Sequence, residues 1–250
     1  MYFNNVHILY YVVAGIAGLI IGQFMDWCNH RLPERKKVFS KDFIKELKQN
    51  FKPNYVLMLV TAVFYAGLLY RFGIQNSFVQ NIDLLKYLIL APMLLSVFVI
   101  DYHHQIIPNR LVLTMFEIGL IFTFLYGISD INIAIHNLIG MVVGAGVFLL
   151  ITWIGKLIAG KEAMGFGDVK LMGALGLYFG FSSIIGISLI AFLIGAILSI
   201  LLLVLKVKKA DEYIPFGPFI VIATFITMFV PFNIILTVLL TIFTLGLYRA

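Results

Sequence analysis

Cysteine and charge are both scarce in this sequence. Cys28 is the only cysteine among 250 residues, which excludes an intramolecular disulfide and a zinc site built from several cysteines. Charged residues make up 12% of the chain and hydrophobic residues 62%, whereas a soluble domain carries about 25% charged and roughly 45–50% apolar residues. The polar residues are too few to coat a water-soluble globule of this length. The composition therefore excludes a soluble enzyme or soluble binding domain.

Long apolar runs are what the sequence has instead, and they are typical of membrane-spanning helices. We predict an all-α polytopic membrane bundle of about eight helices, or nine if the last run holds two. The predicted spans are residues 8–28, 55–72, 84–101, 109–128, 133–158, 169–183, 184–205 and 216–248. Pro231-Phe232-Asn233 marks a kink or a very short hairpin in the last run. The first run lacks a basic leader segment and a small-residue cleavage site, so we interpret it as a span.

The net charge of +6 is concentrated in a short loop. Eight Lys or Arg residues and three acidic ones lie between His30 and Pro53. Such a loop indicates the cytoplasmic side of a membrane protein, with lipid or partner binding as the alternative, and does not indicate a nucleic-acid partner. The N-terminus then lies outside, and the basic segments 101–110, 156–170 and 206–209 return to the cytoplasm. Within the loop, the amphipathic pattern of residues 40–47 is compatible with a helix on the membrane surface.

Glycines recur four residues apart within several predicted spans. The pairs are Gly18 and Gly22, Gly140 and Gly144, and Gly176 and Gly180. Small residues at this spacing allow helices to approach closely in lipid. We therefore predict that these glycines lie at helix–helix contacts.

Two carboxylates lie where an apolar run meets the predicted cytoplasmic side. Asp101 ends one run and Asp168 begins another, and charged groups near membrane depth are costly. Either residue alone is equally well explained as a solvated or ion-paired carboxylate at the interface. If the helices bring the two together, they cannot both ionise easily, and they provide a base and an acid from one residue type. That is the chemistry of an aspartic protease, with a bell-shaped dependence of rate on pH.

A metal site is the competing interpretation of the same region. His103 and His104 follow Asp101 closely, but adjacent residues of a helix do not face the same way and no third ligand is evident. Contacts with lipid headgroups or with a substrate loop explain these histidines better. The two glycines of Gly165-Phe166-Gly167-Asp168 permit unusual backbone angles and close approach of a substrate beside the carboxylate. They do not complete a nucleotide-binding fingerprint.

Four segments resemble the type IV prepilin peptidases, which are membrane aspartic proteases with a GxGD motif. The segment Met164-Gly165-Phe166-Gly167-Asp168-Val169-Lys170-Leu171 is similar to that motif and its surroundings. Asp101 with the downstream Ile107-Pro108-Asn109 resembles the first catalytic aspartate and the residues that follow it. The two remaining segments are Ile214-Pro215-Phe216-Gly217-Pro218-Phe219, similar to a late family segment, and Gly22-Gln23-Phe24 with Arg31-Leu32-Pro33, similar to the N-terminal signature.

The resemblance implies a cytoplasmic-membrane enzyme of bacteria that cleaves the short basic leader of prepilins or pseudopilins at the cytoplasmic face. Asp101 and Asp168 would be catalytic. Gly165, Gly167, Lys170, Pro108 and Asn109 would shape the active-site backbone or position the substrate. Residues 1–53 would form the first span with a reduced basic loop, and residues 54–250 the peptidase core. Cleavage would need no metal and no cofactor.

The sequence also departs from the family pattern. Full-length members carry two CxxC pairs after the Arg-Leu-Pro and methylate the new N-terminus with S-adenosylmethionine, whereas the short segment after Pro33 holds no cysteine. Asp26 stands where the family usually has Asn. S-Adenosylmethionine is therefore expected as a cofactor only if methylation is retained.

Three alternatives stay open from the residues. Proteases of the presenilin kind also use two membrane aspartates, but this chain lacks their Tyr-Asp and late Pro-Ala-Leu. A small transporter would use Asp101 and Asp168 to bind protons or cations, although no repeat of the transporter type is evident. A non-catalytic scaffold of a pilus system is the third alternative, and loss of either aspartate would have favoured it.

Overall fold

The computed structural model describes residues 2–4, 6–38, 52–74, 78–160, 164–206 and 214–243, and it is almost entirely helical. The helices are α1 Ile8–Arg31, α2 Tyr55–Phe72, α3 Phe78–His104, α4 Asn109–Ser129, α5 Ile131–Ala159, α6 Phe166–Val204, α7 Gly217–Phe229 and α8 Phe232–Phe243. Strands β1 Tyr2–Phe3 and β2 Val6–His7 pair antiparallel ahead of α1. The amphipathic segment predicted at residues 40–47 lies outside the described residues.

The helix ends follow local sequence signals. The side chains of Asn54 and Asp130 accept hydrogen bonds from backbone N–H groups in the first turns of α2 and α5, which is what N-cap residues do. α5 ends at Gly160, whose φ of +66° is a left-handed conformation that glycine adopts without strain.

The predicted class, a polytopic helical membrane protein, is confirmed. Among the described residues, six helices are long and apolar enough to cross a membrane, or seven if the bent pair α7–α8 counts as one span. The axes of α7 and α8 differ by 114° across residues 230 and 231, so the predicted break at Pro231 is confirmed. Large apolar side chains such as Leu9, Ile16 and Ile20 are exposed along α1, as expected for a surface that faces lipid.

Close packing divides the chain into two compact units, Met1–Leu111 and Val112–Ala250. In unit 1, α1 packs against α2 through glycines: a Cβ on Gly18 would lie 2.5 Å from the Ala62 Cα, and one on Gly22 would lie 2.7 Å from the Met58 Cα. The Tyr65 hydroxyl donates to the Leu88 carbonyl at 2.7 Å and joins α2 to α3. The predicted functional division at residue 53 stays a prediction.

Unit 2 is built around the contact between α5 and α6. A Cβ on Gly140 would lie 2.7 Å from the Gly176 carbonyl oxygen, and one on Gly144 would lie 2.5 Å from the Met172 carbonyl oxygen. Moving four residues forward along α5 thus moves four residues back along the first part of α6. The two segments are antiparallel, and the predicted role of these glycines in helix packing is confirmed.

The second part of α6 runs back along α5 in the opposite direction. The Gly144 Cβ position is also 3.0 Å from Ile184 Cγ1, and the Phe148 and Phe192 rings stack at 5.3 Å between centroids. Residues 144 and 148 therefore meet residues 184 and 192, which a straight α6 would carry far away. The chain reverses at Gly180, where φ is +70° and ψ is −179°.

This reversal gives α6 two arms, residues 166–179 and 181–204. They correspond to the separate spans predicted at 169–183 and 184–205. The predicted boundary between residues 183 and 184 was wrong, because only glycine tolerates the backbone angles of position 180.

Candidate active site

Asp101 lies in unit 1, in the last turn of α3. Its side chain is 3% exposed, and its carbonyl accepts a hydrogen bond of 2.9 Å from the Gln105 N–H. Gln105 has a φ of +55° and ends the helix. The C-terminal end of a helix carries partial negative charge. The Asp101 carboxyl group therefore lies beside the negative end of α3.

Asp168 lies in unit 2, in the first turn of α6. It is also 3% exposed, and its N–H donates to the Gly165 carbonyl at 3.0 Å. Gly165 is the N-cap and offers no side chain to the first turn. The helix N-terminus carries partial positive charge, so the environment of Asp168 stabilises a carboxylate. The two buried aspartates thus have opposite electrostatic settings.

The glycines before Asp168 do not act through unusual backbone angles. Gly165 has φ of −69° and ψ of 141°, which any residue adopts, and neither Gly165 nor Gly167 is among the described glycines with positive φ. This corrects the prediction that their conformational freedom matters. Both glycines are half-buried and lie next to the buried Asp168, and the predicted close approach of a substrate there stays a prediction.

Lys170 points away from this buried surface. Its side chain is exposed, and its ammonium lies 4.9 Å from the centre of the Phe166 ring. A cation over an aromatic face at this distance is a weak attraction. Lys170 therefore forms part of the exposed rim at the start of α6.

His103 and His104 are exposed in the last turn of α3. The His103 ring meets Tyr102 edge-on at 5.2 Å. Within the described ranges, no three His, Cys, Asp or Glu side chains lie close enough together to hold a metal ion.

Pro108 and Asn109 lie between α3 and α4, close in sequence to Asp101. Pro108 is buried, and its carbonyl accepts the Leu111 N–H at 3.0 Å, which starts α4 at Asn109. The same loop lines a cavity of about 460 Å³ together with Leu32 and Pro33. Two segments that are far apart in sequence, Leu32-Pro33 and Ile107-Pro108-Asn109, thus meet in unit 1.

The N-terminal signature fastens α1 to the start of α2. The Gln23 amide donates to the Lys52 carbonyl at 3.2 Å and accepts from the Asn54 N–H at 3.0 Å. The Asp26 carboxylate accepts from the Asn54 side chain at 2.7 Å. These contacts close the basic loop at its base and give Gln23 and Asp26 a structural role that sequence reasoning missed.

The late Pro-Phe-Gly-Pro segment holds α7 against α5 and α6. The Phe216 ring lies 6.0 Å from Phe148 and 5.3 Å from Phe192, and a Cβ on Gly195 would come within 3.0 Å of it. Continuing the antiparallel register of α5 and α6 by one turn pairs Phe148 with Asp168. This aromatic cluster therefore lies at the same level of unit 2 as the aspartate.

Asn29 is a further candidate that sequence reasoning passed over. Its side chain is buried in α1, and neither its amide nitrogen nor its oxygen has a hydrogen-bond partner among the described residues. Burying such a group without partners is costly. Its polarity within an apolar helix was visible in the sequence, whereas its burial was not.

Comparison with known proteins matches a stretch of this chain that contains both aspartates. Residues 88–200 match the type IV leader peptidase family. Three similar curated proteins are each named prepilin leader peptidase/N-methyltransferase. The Aeromonas hydrophila protein is 35% identical over 56% of this chain and 48% of its own length. The Xanthomonas campestris protein is 33% identical over 68% of this chain and 56% of its own length. The Legionella pneumophila protein is 27% identical over 88% of this chain and 91% of its own length. The chain spans about half the length of the first two. No solved structure matches it.

Proposed function

We propose that this chain is a membrane aspartic endopeptidase that removes the short basic leader of type IV prepilins or pseudopilins, because residues 88–200 match the type IV leader peptidase family. One observation carries the proposal: the matched stretch contains two buried aspartates, each in an end turn of an apolar helix. Carboxylates at such positions are costly and mark functional sites.

The mechanism assigns Asp168 as the base and Asp101 as the acid. The assignment follows the helix ends: Asp168 lies at the N-terminus of α6, which carries partial positive charge, and Asp101 lies at the C-terminus of α3, which carries partial negative charge. Asp168 takes a proton from the water that attacks the scissile carbonyl. Asp101 donates its proton to the carbonyl oxygen, which gives a tetrahedral gem-diol. When the C–N bond breaks, Asp168 passes the proton that it took from water to the leaving amine, and Asp101 regains a proton from a gem-diol hydroxyl. These steps need no metal and no cofactor.

Other residues shape the site around the pair. Gly165 and Gly167 leave room for an extended substrate backbone beside Asp168, and Lys170 lies at the rim. Pro108 and Asn109 fix the loop that follows Asp101. Basic residues at this end of the helices favour a cytoplasmic position in the bacterial inner membrane, with the N-terminus outside. The apolar helix of the substrate then stays in the bilayer beside the enzyme.

The experiment that tests the proposal compares wild type with Asp101→Asn and Asp168→Asn, purified and placed in lipid vesicles with a prepilin from the same source. Leader removal is followed by the shift in substrate mass. We expect both variants to lose at least about a hundred-fold in cleavage rate, in the range of acid–base catalysis. The matched control is Asp130→Asn, since asparagine is an equally good N-cap for α5.

The outcomes separate the alternatives. Cleavage by both variants at the wild-type rate would show that Asp101 and Asp168 are not the catalytic pair. A wild-type protein that is folded but inert on its cognate prepilin would favour the scaffold. Proton or cation flux into the vesicles that depends on either aspartate would favour the transporter.

Methylation is a separate activity that the relatives' names include. Only the names of the relatives favour methylation, so we propose the peptidase activity alone for this chain. S-Adenosylmethionine would be a cofactor only of the methylation. Adding S-adenosylmethionine with a labelled methyl group to the same assay tests this. We expect cleaved product without label, and labelled product would establish the second activity.

A further inference from the structure

The cavity of about 460 Å³ in unit 1 is bounded by two chain turns. Leu32, Pro33 and Arg35 line one side, and residues 106–110 line the other. Two of the lining residues, Arg35 and Arg110, carry guanidinium groups, and none of the lining residues that the structure describes is acidic. The cavity thus combines positive charge with the apolar side chains of Leu32, Ile106 and Ile107.

Arg35 occupies a backbone position that normally belongs to glycine. The Lys36 N–H donates to the Arg31 carbonyl and the Arg35 N–H donates to the Leu32 carbonyl, both at 3.1 Å. This pair of bonds forms the Schellman motif, and Arg35 is its left-handed residue with a φ of +56°. A non-glycine residue is strained there. Retaining a long cationic side chain at such a cost suggests a function for the guanidinium.

Arg110 joins this turn to the start of α4. Its guanidinium donates to the Lys36 carbonyl at 3.2 Å. The nearest acidic residue in the turn, Glu34, is exposed and forms an ion pair with Lys36, whose hydrogen bond holds the pKa of the Glu34 carboxyl below its usual value. The N-terminus of α4 adds partial positive charge beside Arg110. The cavity therefore attracts anions.

We propose that this cavity binds the phosphate of an anionic phospholipid headgroup between Arg35 and Arg110. Guanidinium groups match the geometry of phosphate oxygens and are the preferred partners for this anion. The cavity lies where the spans α1 and α3 end and α4 begins, which is the level of lipid headgroups. Its apolar wall receives the glycerol and upper acyl atoms, which a free phosphate does not have.

Native mass spectrometry of the detergent-purified full chain tests the site. The protein is titrated with phosphatidylglycerol and with phosphatidylcholine of the same acyl chains. Arg35→Gly removes the guanidinium and places the favoured residue in the turn, so loss of binding does not reflect a disturbed backbone. We expect wild type to prefer phosphatidylglycerol and Arg35→Gly to bind it about ten-fold more weakly, the effect of one charged hydrogen bond.

The control is Lys37→Gly, which removes one positive charge from the same segment without touching the cavity. It should bind phosphatidylglycerol as wild type does. Equal binding by Arg35→Gly and wild type, or equal loss in Lys37→Gly, overturns the proposal. Wild-type binding without preference for phosphatidylglycerol overturns it as well. If millimolar inorganic phosphate displaces the lipid, and if this displacement depends on Arg35, the cavity is a site for soluble phosphate. That result also overturns the assignment to a phospholipid.

Discussion

The side chain and the N–H of Asn54 make three hydrogen bonds at the start of α2, and two of them reach α1. Its side-chain oxygen accepts from the Leu57 N–H at 3.1 Å, its amide donates to Asp26, and its own N–H donates to Gln23. Asp26→Ala leaves a partly buried amide without its acceptor, so it should lower the free energy of unfolding by about 1–3 kcal/mol.

Asp26→Asn is the matched comparison for this prediction. An asparagine oxygen still accepts from Asn54, so this variant should lose less than about 1 kcal/mol. Glu34→Ala, which removes an exposed ion pair, should unfold at nearly the same temperature as wild type. Thermal unfolding in detergent measures all three. Equal destabilisation by the alanine and asparagine variants at position 26 would contradict the contact with Asn54.

Gly167 tests whether space beside Asp168 matters for cleavage. Its backbone is helical and half-buried, so a side chain there keeps the backbone angles, and we expect it to crowd the approach to the carboxylate. Gly167→Val should abolish leader removal while expression and membrane insertion stay at the wild-type level.

The control for this prediction is Gly146→Val on α5, where an added Cβ meets no atom within 4 Å. It should cleave normally. If Gly167→Val instead reduces the amount of protein in the membrane, the glycine serves packing and not substrate access.

The sequence predicted the two aspartates because carboxylates at the ends of apolar runs are rare and expensive. It did not reveal the hydrogen bonds of Gln23 and Asp26, since their partner Asn54 is far along the chain. It also suggested a backbone role for Gly165, whereas the residue lies in an ordinary extended conformation. Residue type limits which angles are possible, but the neighbouring structure selects among them.

At the level of helices, apolar runs predicted the spans well because hydropathy is a local property. The glycine pairs were less informative, because glycines with the same four-residue spacing serve either in helix packing or in a chain reversal. Gly176 packs against Gly140, while Gly180, four residues later, forms the reversal of α6. Nothing in the local sequence separates a packing glycine from a turning one, so the reversal was predicted a few residues too late.

Gly180 should be sensitive to substitution for two separate reasons. Its φ of +70° with an extended ψ is a conformation nearly restricted to glycine, and an added Cβ would collide with the His136 ring. Gly180→Ala should therefore destabilise the protein by about 2 kcal/mol or more, combining backbone strain with the collision.

A double variant separates these two causes. Gly180→Ala with His136→Ala removes the ring but keeps the backbone strain, so it should recover only part of the lost thermal stability. Full recovery would show that the angles at position 180 cost little. Gly146→Ala, in open space on the neighbouring helix, should not lower the melting temperature.

For the whole molecule, the reversal at Gly180 determines which loops share a membrane face. A single 39-residue helix would carry its two ends to opposite faces, whereas two arms return the end of α6 to the face where it began. Because α5 is antiparallel to the first arm, Lys156 and Leu205 should share one face. Asn132 and Phe181 should share the other.

Single cysteines at these four positions test the arrangement in a Cys28→Ala background, with a membrane-impermeant maleimide applied to intact spheroplasts. With the N-terminus outside, Asn132→Cys and Phe181→Cys should react at once, while Lys156→Cys and Leu205→Cys should react only after permeabilisation. Labelling of Leu205→Cys together with Asn132→Cys would refute the reversal of α6. If instead Lys156→Cys and Leu205→Cys react at once and the other two react only after permeabilisation, the reversal stands but the proposed orientation is inverted. Asp168 would then lie away from the cytoplasm, where the proposed function places leader cleavage.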